Sequence, residues 1–236
     1  MNIRRSLLAF ALCAPLAALQ SLATPLQDGR ANTAAKQSEQ PATRRVKGRT
    51  LISDKMPRVR IKLDKAFEYV GSQRFILYDV AEVEQFFFVV PDKEKGIRRL
   101  VIAQFEGYLP NNTHTYDYKL SQTVRLGAHD YMTDFSVGNA ELARKHRPDS
   151  DIDRAVRFLE SKGYRASGDF MSRRFVRLLD ETRRTELLLL YIEEMSGTGF
   201  RLADFMEGGR ATPAEKEKIA QGLLDRALKS FSVSDK

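Results

Sequence analysis

Residues 58–63 read RVRIKL, with Val59, Ile61 and Leu63 on one side and Arg58, Arg60 and Lys62 on the other. Strict alternation of this kind marks a strand with one buried face. Residues 73–80 and 83–90, the second centred on Phe86-Phe87-Phe88, are rich in aromatic and β-branched side chains and predict two more strands. A turn at 91–96 then leads into a strand at 97–106. Residues 113–118 and 122–126 extend this β-rich half.

The second half changes period. Ser150 with Asp153 forms an N-cap pattern, and Ala155, Val156 and Leu159 outline an amphipathic helix over 151–162 that Gly163 ends. A hairpin follows, with strands at 173–179 and 184–195 around a polar turn at 180–183. Residues 187–192 are apolar on both faces, which predicts a central strand covered on both sides. If Leu179 pairs with Arg184 across that turn, Arg177 lies opposite Glu186 as a cross-strand ion pair. Thr212-Pro213-Ala214-Glu215 is a capping box with proline at the first helical position. The helix behind it sets Ile219, Leu223, Leu224, Ala227 and Leu228 on one face and runs to about Ser230. The pattern predicts the α+β class, an antiparallel twisted sheet with helices packed on it.

Composition changes this picture mainly at the N-terminus. Arg4 and Arg5 precede an apolar stretch over 6–22 broken by Pro15 and Gln20, and Ser21-Leu22-Ala23 has the small residues of a cleavage site. Residues 1–23 therefore read as a signal peptide, too short in its uninterrupted run for a membrane span. Cys13, the only cysteine, lies inside it. The mature chain then has no thiol, which excludes disulfides, thiolate metal sites and cysteine nucleophiles. Removing Arg4 and Arg5 with the leader lowers the net charge from +8 to +6. Residues 24–55 predict a disordered basic lead, poor in large apolar side chains. Its basic knot, Arg44, Arg45, Lys47 and Arg49, reads as a solvated linker end or as a contact for an anionic surface. Residues 56–236 are enough for one α+β domain. Export argues against a nucleic-acid partner and for a periplasmic or secreted location.

The densest chemistry lies in QFEGYLPNNTHTYDY, residues 104–118. Pro110-Asn111-Asn112 predicts a β-hairpin turn. Direct pairing of Glu106 with Thr113 sets Phe105 opposite His114, Ala103 opposite Tyr116 and Val101 opposite Tyr118, with Glu106 on the other face. That register is favoured because it puts apolar residues beside the aromatics. A one-residue slip brings His114 to Glu106 instead. The candidate ligand-binding residues are Glu106, Tyr108, His114, Tyr116 and Tyr118, an aromatic pocket wall with a carboxylate at its lip. No catalytic set is assembled, and neither a metal nor another cofactor is expected. His129 with Asp130 and Asp134 matches no metalloenzyme spacing, and Glu193 and Glu194 are neighbours in a strand that face opposite sides.

The order of a β-rich half, helices, a hairpin and a final helix ending in Ala227-Leu228-Lys229-Ser230-Phe231-Ser232-Val233 resembles the PsbP-like fold. The stretches YVGSQRFILYDVAEVEQFFFV and AQFEGYLPNNTHTYDY are similar to those of uncharacterised exported bacterial proteins. The resemblance implies an antiparallel sheet between helices and an accessory or assembly role without catalysis. The expected function is that of an exported, non-enzymatic binding or accessory protein of the bacterial envelope, with an unknown small molecule or envelope protein as partner. The alternative is an envelope-polymer hydrolase using Glu106 and His114.

Overall fold

The computed structural model describes residues 43–120, 122–146 and 148–236. The leader expected over 1–23 and the lead as far as residue 42 lie outside the described residues. The strands are β1 (Arg45–Lys47), β2 (Thr50–Ser53), β3 (Val59–Leu63), β4 (Glu68–Leu77), β5 (Ala81–Pro91), β6 (Ile97–Tyr108), β7 (Gln122–Leu126), β8 (His129–Asn139), β9 (Asp169–Leu178), β10 (Thr185–Glu194) and β11 (Phe231–Asp235). The helices are α1 (Ala140–His146), α2 (Asp151–Ser161), α3 (Leu202–Phe205) and α4 (Pro213–Ser230). The strands form two antiparallel sheets, β1-β2-β3-β11 and β4-β5-β6-β10-β9-β8-β7. The class is α+β.

Side-chain period explains the two cores. In β5, Phe86 and Phe88 point one way and Phe87 the other, because successive strand residues alternate. Phe86 and Phe88 join Leu187, Leu189 and Tyr191 of β10, Leu51, Ile61 and Leu63 of the smaller sheet, and Leu223 and Ala227 of α4. Phe87 joins Leu100, Ile102, Leu190 and Ile192, and stacks on Phe158 of α2 with ring centroids 4.6 Å apart. The central strand read from residues 187–192 is β10, the middle of seven. Both capping patterns form: Asp153 N donates to Ser150 Oγ at 3.2 Å, and Thr212 and Glu215 exchange bonds around Pro213. On α4, Leu223 and Ala227 are fully buried, whereas Leu228, expected on the same face, is 40% exposed.

Three expectations are corrected. The hairpin from β6 into residues 113–118 does not form, since β6 already pairs with β5 on one edge and β10 on the other. The turn at Pro110-Asn111-Asn112 persists, with Asn112 N donating to Leu109 O at 3.0 Å, but the segment behind it is not a strand. The pairing of Phe105, Ala103 and Val101 with His114, Tyr116 and Tyr118 is therefore absent. Secondly, the lead is not disordered as far as residue 55: β1 and β2 lie within it and extend the smaller sheet. Arg44 is folded in against Glu84, leaving Arg45, Lys47 and Arg49 as the exposed cations of that knot. Thirdly, Arg177 faces Leu187, and Glu186 lies opposite Leu178. Asp180 draws the turn one residue further by accepting from Thr185 N at 3.0 Å, and Leu179 N donates to Thr185 O. That one-residue difference removes Arg177 as a partner and puts Glu186 on the opposite face of the sheet.

Candidate functional site

Glu106 of β6 and Glu186 of β10 are direct cross-strand partners near the middle of the seven-stranded sheet. Like charges placed this way oppose strand pairing. Both are also buried, Glu106 to 5% exposure and Glu186 to zero. Burying two facing carboxyls costs stability, so the pair stands out as a site.

Residues 109–120 make the cover. They leave β6 near one side of the sheet and reach β7 at its far edge, crossing β10, β9 and β8 as a strap. Tyr116 Oη donates to Glu106 Oε1 at 2.9 Å, and Tyr118 Oη donates to Glu186 Oε2 at 2.7 Å. The hairpin turn after β9 holds the strap's backbone: Tyr116 N donates to Arg183 O, Arg183 Nε to Tyr116 O, and Arg184 to the carbonyls of Leu109 and His114. The tyrosines form a ladder, with centroids 4.5 Å apart between Tyr108 and Tyr116 and 6.1 Å between Tyr116 and Tyr118. His114 lies 6.0 Å from Tyr108 at the exposed end.

On the side away from the strap, an amide relay across β4, β5 and β6 reaches Glu106 from the edge of the sheet. Gln73 donates to Gln85 at 2.7 Å, Gln85 to Gln104 at 2.6 Å, and Gln104 to Glu106 Oε2 at 2.7 Å. Gln104 also lies 3.4 Å from Asp151 Oδ2 at the start of α2. On the other side Arg174 is bidentate to Asp134 at 2.7 and 3.0 Å, with its guanidinium 5.4 Å from the Tyr118 ring. Each Glu106 oxygen accepts a bond. Glu186 Oε1, by contrast, has no hydrogen-bond partner among the described residues.

Burial pushes the Glu106 carboxyl up to about 7, helped by the charge of Asp151 and opposed by the bonds from Tyr116 and Gln104. Glu186 is pushed up to about 8, again by burial first and then by Glu106, with Tyr118 and Arg174 pulling the other way. Burial raises both tyrosine hydroxyls far beyond their ordinary range, so they act as neutral donors. With both Glu106 oxygens committed to donors and one Glu186 oxygen bare, the geometry puts the pair's last proton on Glu186. The pair can thus store a proton near neutral pH, at the one Glu186 oxygen that no donor reaches among the described residues.

The five residues singled out from sequence come together, though through the strap rather than a hairpin. Glu106 and Tyr116 are buried, Tyr108 and Tyr118 half-buried, and His114 exposed. Contacts from Glu106 to His114 run through Tyr116 and then Tyr108, so the two do not form an acid/base couple in this state. Sequence reasoning missed Glu186, Gln85, Asp151 and Arg174 as members of the site. A signal existed for Glu186: a single acid heading the run Leu187–Ile192 on a strand read as buried on both faces. The weighed metal set is dispersed, with His129 on Asp235, Asp130 on Arg125 and Asp134 on Arg174. Among the described residues no group of three or more His, Cys, Asp or Glu is placed to hold a metal ion. No helix among them is long and apolar enough to cross a membrane. No protein-family model, curated protein or solved structure matches this chain.

Proposed function

We propose that the protein is an exported, non-enzymatic binding protein of the bacterial envelope that captures a small molecule or envelope protein at the tyrosine strap. One observation carries the reading: each of two strap tyrosines is tied by its hydroxyl to a buried glutamate of the same cross-strand pair. Such anchoring fixes the ring ladder before a ligand arrives, which reduces the ordering cost of capture. Tyr108, His114 and Tyr118 form its outer face, and Tyr116 is the more buried of its two anchors. The twisted sheet with helices packed upon it is the rigid scaffold in this reading, which agrees with the accessory role implied by the PsbP-like resemblance. Contact with an anionic surface through Arg45, Lys47 and Arg49 belongs to the same reading, without Arg44.

Native mass spectrometry of the protein isolated from its host's envelope is the test. A reproducible extra mass is expected in the wild type, and Tyr108→Ala, whose ring is half-buried, should lower its occupancy at least about tenfold with an unchanged melting curve. Equal occupancy in both would sink the site assignment. The alternative, a hydrolase using Glu106 and His114, draws support from the near-neutral Glu106 alone. It requires the strap to lift, because Tyr116 occupies Glu106.

A further inference from the structure

A second cleft lies away from the strap. It opens where α4 crosses the ends of β6 and β10, and has a volume of about 760 Å³, within the size range of small-molecule sites. Its floor is apolar, from Met171, Phe200 and Ile219. Its walls carry Arg98, Arg99, Lys218 and Arg226 against Glu193, Glu194 and Glu215.

The acids are already engaged. Glu193 is 8% exposed, accepts from Arg226 Nε at 2.8 and 3.1 Å, and takes the Tyr191 hydroxyl. Glu194 pairs with Arg98 and accepts from Ser196 Oγ at 3.0 Å. Glu215 is held in its capping box by Thr212 N and Oγ1 at 2.8 and 2.7 Å. Arg99 is the cross-strand neighbour of Glu193 and bonds the Tyr191 hydroxyl, with its guanidinium 5.3 Å from the Phe67 ring. Glu193 is taken by Arg226, however, and neither Arg99 nor Lys218 forms an ion pair among the described residues. The cleft therefore presents positive charge beside an apolar floor.

A second feature points the same way. Gly222 lies in the middle of α4 and lines the cleft, although glycine inside a helix costs about 1 kcal/mol relative to alanine. A Cβ there would meet Arg226 Nη1 at 3.3 Å, a contact that a small shift of the guanidinium relieves, whereas a longer side chain at this position would reach into the cleft.

We propose that this cleft binds an amphiphilic anion, a single carboxylate or phosphate head on an apolar body. The head sits between Arg99 and Lys218, and the body lies over Met171, Phe200 and Ile219. The site is separate from the strap and stands or falls independently of it.

Calorimetric titration of the full chain with dodecanoate, dodecyl phosphate, dodecyltrimethylammonium and inorganic phosphate is the test, each below its aggregation concentration. Saturable binding is expected for at least one of the two anionic amphiphiles, and their order identifies the preferred head. Lys218→Glu should weaken that binding at least about tenfold, while Tyr108→Ala leaves it unchanged. Gly222→Leu should abolish it, and circular dichroism at the titration temperature should show that variant folded, so that loss of binding is not loss of fold. Equal binding of the cationic amphiphile, inorganic phosphate binding as tightly as dodecyl phosphate, insensitivity to Lys218→Glu, or no saturable binding of either anionic amphiphile would overturn the proposal.

Discussion

Stability to urea should fall as the pH rises from 5 to 8.5, and Glu186→Gln should make that fall clearly shallower. An unfolded glutamate titrates near 4.3. In the fold Glu106 is raised to about 7 and Glu186 to about 8. Below pH 4.3 both states hold the protons and the pair costs nothing through titration. Between there and about 8 the unfolded chain has released protons that the folded chain keeps, so stability declines with pH, and above 8 the loss levels off. Each tenfold difference in proton affinity between the folded and unfolded chain is worth about 1.4 kcal/mol, so two coupled groups amount to several kcal/mol. Asp92, Asp149 and Asp204 shift the other way, held low by hydrogen bonds, so any stability they add is lost only in acid, outside this window.

The side chosen for substitution matters. At position 186 a glutamine oxygen can still accept from Tyr118, and its amide replaces a bare oxygen, so Glu186→Gln should stabilise the protein at pH 8 by about 2 kcal/mol or more and change little at pH 5. At position 106 both oxygens accept, and a glutamine would turn its amide toward Tyr116 or Gln104, donor against donor. Glu106→Gln should therefore gain less at pH 8 than Glu186→Gln does. A wild type flat from pH 5 to 8.5, or an unchanged slope in Glu186→Gln, would remove the buried pair as the cause.

What was legible in the sequence was whatever has a short period. Alternation marked β3, the long apolar run marked β10 as central, and capping residues marked the starts of α2 and α4. The strap was not legible because its identity as a crossover depends on which strands take the edges of β6, and β10 arrives nearly eighty residues later. Tyr, Thr and Asn in the stretch 108–118 fit a hairpin locally, and only the occupied edges exclude it. β8, HDYMTDFSVGN, carries polar residues on the face shared with Arg174 and so lacks a clean apolar alternation. The candidate site was half legible: the tyrosines and Glu106 are close in the chain, whereas Glu186, Arg174 and Asp151 are brought in by tertiary pairing.

The basic knot at 44–49 shows the same limit at the level of one side chain. Four cations in six residues read as a solvated patch, yet Arg44 is inside. Its side chain is 10% exposed and that of its partner Glu84 is 4%. Arg44 also donates to Ser53 Oγ and Met56 O, both at 2.9 Å, and lies 3.6 Å from the Phe105 ring centroid. Glu84 takes Thr43 Oγ1 at 2.9 Å as well. The pair thus ties the smaller sheet to β5 and β6. Removing one partner strands a charge in the interior, so Arg44→Ala should cost about 3–5 kcal/mol, whereas Arg45→Ala at the exposed neighbour should cost under about 1 kcal/mol. Replacing both partners by apolar residues, Arg44→Met with Glu84→Leu, removes the stranded charge and should recover most of the loss, because the two desolvated ions no longer need each other. Urea unfolding of the single and double variants measures this. If Arg44→Ala were as mild as Arg45→Ala, residues 43–49 would behave as the solvated lead that composition suggested. A double variant no better than Arg44→Ala would mean that the arginine stabilises the sheets through its contact with Phe105 and Met56 rather than by neutralising Glu84.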